Sequence, residues 1–159
     1  AADAAARLVI RNALFFGRGK FSSMVMPWST YTDPELARVG LSEAEAGAAG
    51  IEFDVYQREM KDVDRAVTDG EEEGFVKVLT RKGSDEIVGV AIVASHAGDM
   101  ISEITLAMER GIGLGGIASV IHPYPTRAEA IRQAGDAYMR TKLTPLVKRM
   151  FEWFLRMRR

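Results

Sequence analysis

The amino-acid sequence predicts an α+β fold: an antiparallel β-sheet with helices packed mainly on one face. Three observations carry this reading. Strand-like runs gather between residues 21 and 94, ahead of the longest central helical patterns, rather than alternating with them as a parallel sheet requires. Two of those runs, Phe75 to Arg81 and Ile87 to Ala94, are joined through "KGSD", a connection rich in turn residues and too short for a parallel crossover. The chain of 159 residues, 47% hydrophobic and 27% charged, has the size and composition of one ordinary domain that can bury its own core.

The elements follow in order. Leu8, Val9, Ala13 and Phe16 recur at helical spacing from Ala2 onward, and the glycines of "GRGK" stop the pattern. That pattern already runs at Ala1 with no start signal before it, as in a segment of a longer protein. "FSSMVMPWSTYT" is aromatic and β-branched but interrupted by Pro27, which restricts it to an edge or bulged strand. After an Asp-Pro turn, Ser42 and Glu45 stand in capping-box spacing at the head of a short helix that stops at Gly50. "IEFDVYQREM" alternates apolar and polar residues, so Ile51, Phe53 and Val55 are expected on the core face of a strand. "KDVDRAVTDGEEEG", with six acidic residues, reads as a solvated loop without chemistry. The run from Ile87 to Ala94 is apolar almost throughout, as in a central strand covered on both faces. From Ala97, Met100, Ile101, Ile104, Leu106 and Met108 mark a helix ended by Gly111, with His96 at its start. "TRAEAIRQAGDAYMRTKL" is helical again.

Composition excludes several kinds of function. A net charge of −1 gives no general reason to bind nucleic acid, and the absence of cysteine removes disulfides, thiolate metal sites and any redox cysteine pair supplied by this chain. No run of eighteen apolar residues occurs, and the N-terminal stretch lacks a basic region followed by an apolar core, so a soluble cytoplasmic protein is expected. "GIGLGG" at 111–116 follows a helix rather than a strand and so fails the context of a dinucleotide fingerprint. No metal-binding or cofactor-binding residues are expected in this chain.

The last eighteen residues differ from the rest. Leu143, Leu146, Val147, Met150, Phe151, Phe154 and Leu155 form one apolar stripe, while six basic residues stand against Glu152 alone. Such a helix suits docking on this domain or a dimer mate; the second reading is weak contact of residues 142–159 with an anionic membrane surface, with Trp153 at headgroup level.

"SVIHPYPTRAEAIRQ", residues 119–133, holds the candidate site. Pro123 and Pro125 remove two backbone donors and fix two φ angles, making a rigid ledge. Thr126 and Glu129 have capping-box spacing. On spacing alone two readings stand: a capped helix start, or a stiff loop presenting His122 or Tyr124 with Glu129 orienting it.

Four stretches taken together narrow the choice: "YTDPELARVGLSEAEA", "DRAVTDGEEEGFVKVL", "IVGVAIVASHAGDMISEITLAMERGIGLGGIAS" and "IHPYPTRAEA". In this order they resemble the C-terminal dimerisation domain of the flavin-dependent pyridine nucleotide-disulfide oxidoreductases, with wording closest to the mercuric reductase-like branch. Residues 1–16 resemble the last helix of the flavin region before it, and only the final basic stretch lies outside the resemblance. The organisation implied is a tail of the flavin-domain helix at 1–20, the dimerisation domain at 21–140 and a basic amphipathic helix at 141–159.

The resemblance implies the dimerisation-domain fold of FAD/NAD-linked reductases. It also implies a homodimer whose interface this domain forms, and a loop contributed to the partner subunit's active site. FAD and NAD(P)H belong to the full-length parent, and this chain alone is expected to be inactive. The family's His-Pro-Thr-x-x-Glu motif aligns on Pro125, Thr126 and Glu129, which puts Tyr124, not His122, at the acid/base position. Tyr124, Glu129 and His122 are therefore the candidate catalytic residues of the parent. A phenol with a pKa of about 10 is a poor base near neutrality, so a role as proton or hydrogen-bond donor is implied instead. The resemblance also implies a cis Tyr124–Pro125 peptide. The alternative is a free-standing interaction module that pairs with a separate flavoprotein or a membrane surface.

Overall fold

The apolar run Ile87–Ala94 is covered on both faces because it becomes the middle strand of a five-stranded antiparallel sheet. The computed structural model describes residues 2–158, apart from the side chains at 146, 148 and 152; the expected helical start at Ala1, the place of Leu146 on the terminal apolar stripe and that of Glu152 among the charged residues beside it lie outside the described residues. The strands are β1 (Trp28–Thr30), β2 (Glu35–Gly40), β3 (Phe53–Glu59), β4 (Phe75–Arg81) and β5 (Ile87–Ala94), in the spatial order β1-β2-β5-β4-β3. The hairpin between β4 and β5 is antiparallel as expected, pairing Phe75 with Val93 and Val78 with Val90. The helices are α1 (Ala2–Leu14), α2 (Glu43–Ala48), α3 (Asp64–Asp69), α4 (Ala97–Glu109), α5 (Leu114–Ala118), α6 (Glu129–Thr141) and α7 (Pro145–Met157).

One sheet face carries the core. Ala37 and Val39 of β2, Val76 and Val78 of β4, and Val90 and Ile92 of β5 are buried with Ile101 and Ile104 of α4 and Ile131 and Ala134 of α6. Each such valine or isoleucine side chain contributes about 1.5–3 kcal/mol when fully buried. Helix α4 lies on β2 and β5, α6 lies on β3 and β4, and α5 packs on α6. That last contact is close because position 135 is glycine: a Cβ there would stand 2.9 Å from both the Ala118 Cβ and the Leu114 carbonyl oxygen. Helix α2 sits on the other sheet face, tied by Arg38–Glu45 and Lys77–Glu43 ion pairs of 2.7 Å. Its capping box forms as read, with Ser42 accepting from the Glu45 amide and Glu45 accepting from the Ser42 amide.

Four expectations are corrected. The stretch from 21 to 32 is strand only over β1, preceded by a single 3₁₀ turn at Phe21–Ser23, because Pro27 denies the ladder a donor. "ELARVG", unassigned in the sequence, is β2. In β3 the side chain packed toward the helices is Tyr56, edge-on to Tyr138 of α6 with ring centroids 5.7 Å apart, whereas Val55 is turned out and exposed. The acidic stretch after β3 is not a plain loop: Met60, Val63 and Ala66 are fully buried, and the burial of Val63 and Ala66 fixes α3. Among the described residues, neither α1, which buries none of its own, nor α7 packs substantially on this layered body.

Candidate functional site

The segment between α5 and α6 is held at three points, His122, Tyr124 and Arg127, by residues distant in sequence. His122 is buried: its side chain is 5% exposed, with Nδ1 3.0 Å from the Val120 carbonyl oxygen and Nε2 2.8 Å from the Glu103 carboxylate of α4. Tyr124 is 70% exposed, and its hydroxyl donates to Asp64 Oδ2 at 2.9 Å, at the start of α3. Thr126 donates its hydroxyl to the Pro123 carbonyl at 2.8 Å. The Arg127 guanidinium reaches Asp69 at 2.6 Å and also pairs with Glu71. The Tyr124–Pro125 peptide is cis, as the resemblance implied.

Two readings of the motif separate here. The capping box expected of Thr126 and Glu129 does not form: the Thr126 hydroxyl turns back to Pro123, and the residue before the helix, Ala128, offers no side-chain cap. Helix α6 begins two residues later than the box would place it. The Glu129 carboxylate is nearly buried and accepts from Arg132 of the same helix at 3.1 Å. His122, Tyr124 and Glu129 thus share one short segment, but each meets a different partner. His96 sits at the start of α4 as expected, in the left-handed region at φ 61°, and its side chain is exposed.

The electrostatics follow from these pairs. Asp64 raises the Tyr124 pKa above the ordinary phenol value of 10.0, first by accepting its hydrogen bond and then by its charge, with burial and Glu129 adding to the effect. The phenol is therefore kept protonated well past neutrality and can act as a donor. Glu71 is pushed below the usual carboxylate range by the Ser95 hydroxyl first and by Arg127.

Asp64, Glu103, Asp69, Glu71 and Arg127 were not singled out in the sequence. For α3 a signal existed: Arg65 and Asp69 stand four apart and form an ion pair at 2.9 Å, a spacing that supports a helix. For Glu103 there was none, since its contact with His122 spans nineteen residues.

The glycine-rich segment at 111–116 is explained by packing. A Cβ on Gly113 would fall on the Asp85 carboxylate, which packs against this backbone. Among the described residues no group of three histidine, cysteine, aspartate or glutamate side chains is arranged to hold a metal ion.

Residues 26–135 match the family description "Pyridine nucleotide-disulphide oxidoreductase, dimerisation domain". Dihydrolipoyl dehydrogenase 2 of Haloarcula marismortui is 39% identical over 117 residues, which are 74% of this chain and 25% of that protein. The mitochondrial dihydrolipoyl dehydrogenase of Caenorhabditis elegans is 42% identical over 112 residues, 70% of this chain and 23% of that protein. This chain thus spans about a quarter of the length of the curated relatives it matches. In fold it is similar to LpdA from Mycobacterium tuberculosis, with a TM-score of 0.80 at 23% identity over 86% of this chain and 30% of that one. The HOCl-induced flavoprotein disulfide reductase RclA from Escherichia coli gives a TM-score of 0.75 at 21% identity over 82% of this chain and 30% of that one.

Proposed function

Because the chain belongs to the dimerisation-domain family of the pyridine nucleotide-disulphide oxidoreductases, we propose that it pairs two subunits of a larger flavin-dependent oxidoreductase and lends the Tyr124 loop to the partner subunit's active site. The observation that carries the reading is the family match over residues 26–135, a range that includes that loop. The exposure of Ile121, at 94%, and of Tyr124 beside it supports the loop as a surface awaiting a partner.

FAD and NAD(P)H would be held outside this chain, where the flavin would relay electrons from the nicotinamide to the substrate. What these residues supply is a positioned proton donor. Tyr124, kept protonated by Asp64, would donate a hydrogen bond or a proton to a thiolate or a substrate at the partner's centre. Glu129 would keep the first turn of α6 seated through Arg132, and His122 would brace the loop from below.

The substrate is a finer proposal. The relatives described above are dihydrolipoyl dehydrogenases, which support disulfide chemistry in the parent. The mercuric reductase-like branch rests on the wording of the motifs, and Tyr124 at the histidine's position favours a departure from histidine-assisted thiol chemistry.

In the flavin-loaded parent, Tyr124→Phe should lower turnover more than His122→Ala does per folded enzyme. The reverse order would overturn the assignment of the donor. Sedimentation of the chain at rising concentration should show a dimer, and a species that stays monomeric throughout would count against pairing as its function.

A further inference from the structure

We propose that α7 docks this chain on an anionic phospholipid bilayer, lying along the surface with its apolar side in the interface. This goes beyond the pairing function and does not depend on it. The helix is outside the matched residues 26–135 and, among the described residues, packs substantially on no other element. Its start is set locally: Pro145 occupies the first turn and the Thr144 hydroxyl accepts from the Val147 amide at 3.3 Å.

The side chains sort by face. Successive residues turn by about 100°, so Val147, Met150, Phe151, Phe154 and Met157 project from one broad side, while Arg149 and Arg156 project from the other; Arg158, just past the last turn, falls on the apolar side and lays its guanidinium over the Phe154 ring, 5.4 Å from the centroid. Trp153 and Leu155 lie at the two borders of the apolar side. Met150, Phe151, Trp153, Phe154, Leu155 and Met157 are each between 46% and 62% exposed, an apolar surface that this chain leaves uncovered.

Charge decides the occupant. Residues 142–159 carry six basic side chains and one acidic, in a chain whose net charge is −1. An anionic lipid surface satisfies both sides of the helix at once: acyl chains take the aromatic side, headgroups take the arginines, and a border tryptophan suits headgroup depth. A second α7 satisfies neither. Two such helices would repel each other, and thirteen residues make fewer than two heptads of seam with an apolar side too broad for a two-helix coil. Thirteen residues rise about 20 Å, short of the roughly 30 Å hydrocarbon thickness, so α7 lies on the bilayer rather than crossing it.

The test uses the whole chain with Trp28→Phe, leaving Trp153 as the one tryptophan. It is mixed at low salt with phosphatidylcholine vesicles, with and without phosphatidylglycerol. The expected result is co-sedimentation with the anionic vesicles, a blue shift of Trp153 emission and a gain in helical circular dichroism, all reversed by added salt. Arg149→Glu with Arg156→Glu should weaken binding by at least about thirtyfold, taking about 1 kcal/mol for each basic residue near the surface. Phe151→Ser with Phe154→Ser should abolish the blue shift while the melting of the sheet domain stays unchanged. Absent binding at low salt, or equal binding to neutral vesicles, would overturn the proposal. So would a shift from dimer to monomer caused by the phenylalanine substitutions in a chain that binds no vesicles, since that would make a second copy the occupant.

Discussion

Replacing His122 with alanine separates a histidine that braces the loop from one that works in chemistry. The ring is nearly buried, and each nitrogen faces an oxygen: Nδ1 the Val120 carbonyl at 3.0 Å, Nε2 the Glu103 carboxylate at 2.8 Å. A bond to a neutral carbonyl contributes about 1 kcal/mol net and one to a charged group about 1.5–3 kcal/mol, and since both partners only accept, a ring with a single N–H donates to one of them and not to both. Because Glu103 is 34% exposed, water screens the second bond and its lower range applies. His122→Ala should therefore cost about 1–2 kcal/mol, and at about 2–4 °C per kcal/mol for a chain of this length the melting point should fall by about 2–8 °C. Urea and thermal unfolding of the chain followed by circular dichroism would read this. Glu103→Ala should reproduce much of the loss, and the double variant should lose less than the sum of the two. Tyr124→Phe, at an exposed site, should leave the midpoint close to that of the parent sequence. If His122→Ala melts with the unmodified chain while Tyr124→Phe falls, the assignment of brace and donor is reversed.

Three further outcomes follow from the same contacts. Gly135→Val should destabilise the fold by about 1–3 kcal/mol, because its side chain meets Ala118 and the Leu114 backbone across the α5–α6 contact; an unchanged urea midpoint would mean that these helices can part freely. Asp64→Asn should bring the Tyr124 pKa back toward 10.0, read by phenolate absorbance. The raised pKa is a contribution to stability present below the ordinary phenol value and lost as pH rises through the folded one, so an unshifted titration would remove Asp64 as the cause. Glu45 is held at about 2, first by the Ser42 hydroxyl, then by the Ser42 amide and Arg38. The stability that goes with this depression is present above the ordinary value of 4.5 and lost as pH falls toward 2. Carboxyl NMR titration should show that low midpoint in the unmodified chain and a higher one in Ser42→Ala; a midpoint near 4.5 in the unmodified chain would contradict the capping geometry.

What was legible in the sequence was local. The β4–β5 hairpin, the Ser42–Glu45 box and the stop of α4 at Gly111 each depend on residues within a few positions of one another, and all three form as read. Strand β2 was not legible because its identity comes from pairing with β5 over Glu35–Gly40 and from Ala37 and Val39 reaching a core built elsewhere. In β3 the alternation was real but its phase was misread, since a tyrosine can cover the core as well as a valine does, and at this edge Tyr56 turns inward against Tyr138. The site shows the same limit at larger scale. "HPYPTR" reads as a complete motif, yet its side chains are held by Glu103 of α4 and by the acidic stretch that looked inert, through Asp64, Asp69 and Glu71. That arrangement constrains any chemistry at Tyr124. A phenol has a single O–H to give, and here Asp64 takes it. To donate to a group on a partner subunit, Tyr124 must release Asp64, whose carboxylate then stands as the acceptor to which the proton donor returns. Under the proposed role the Tyr124–Asp64 pair would act as one unit, and substitutions in α3 should alter its donor strength without touching the motif itself.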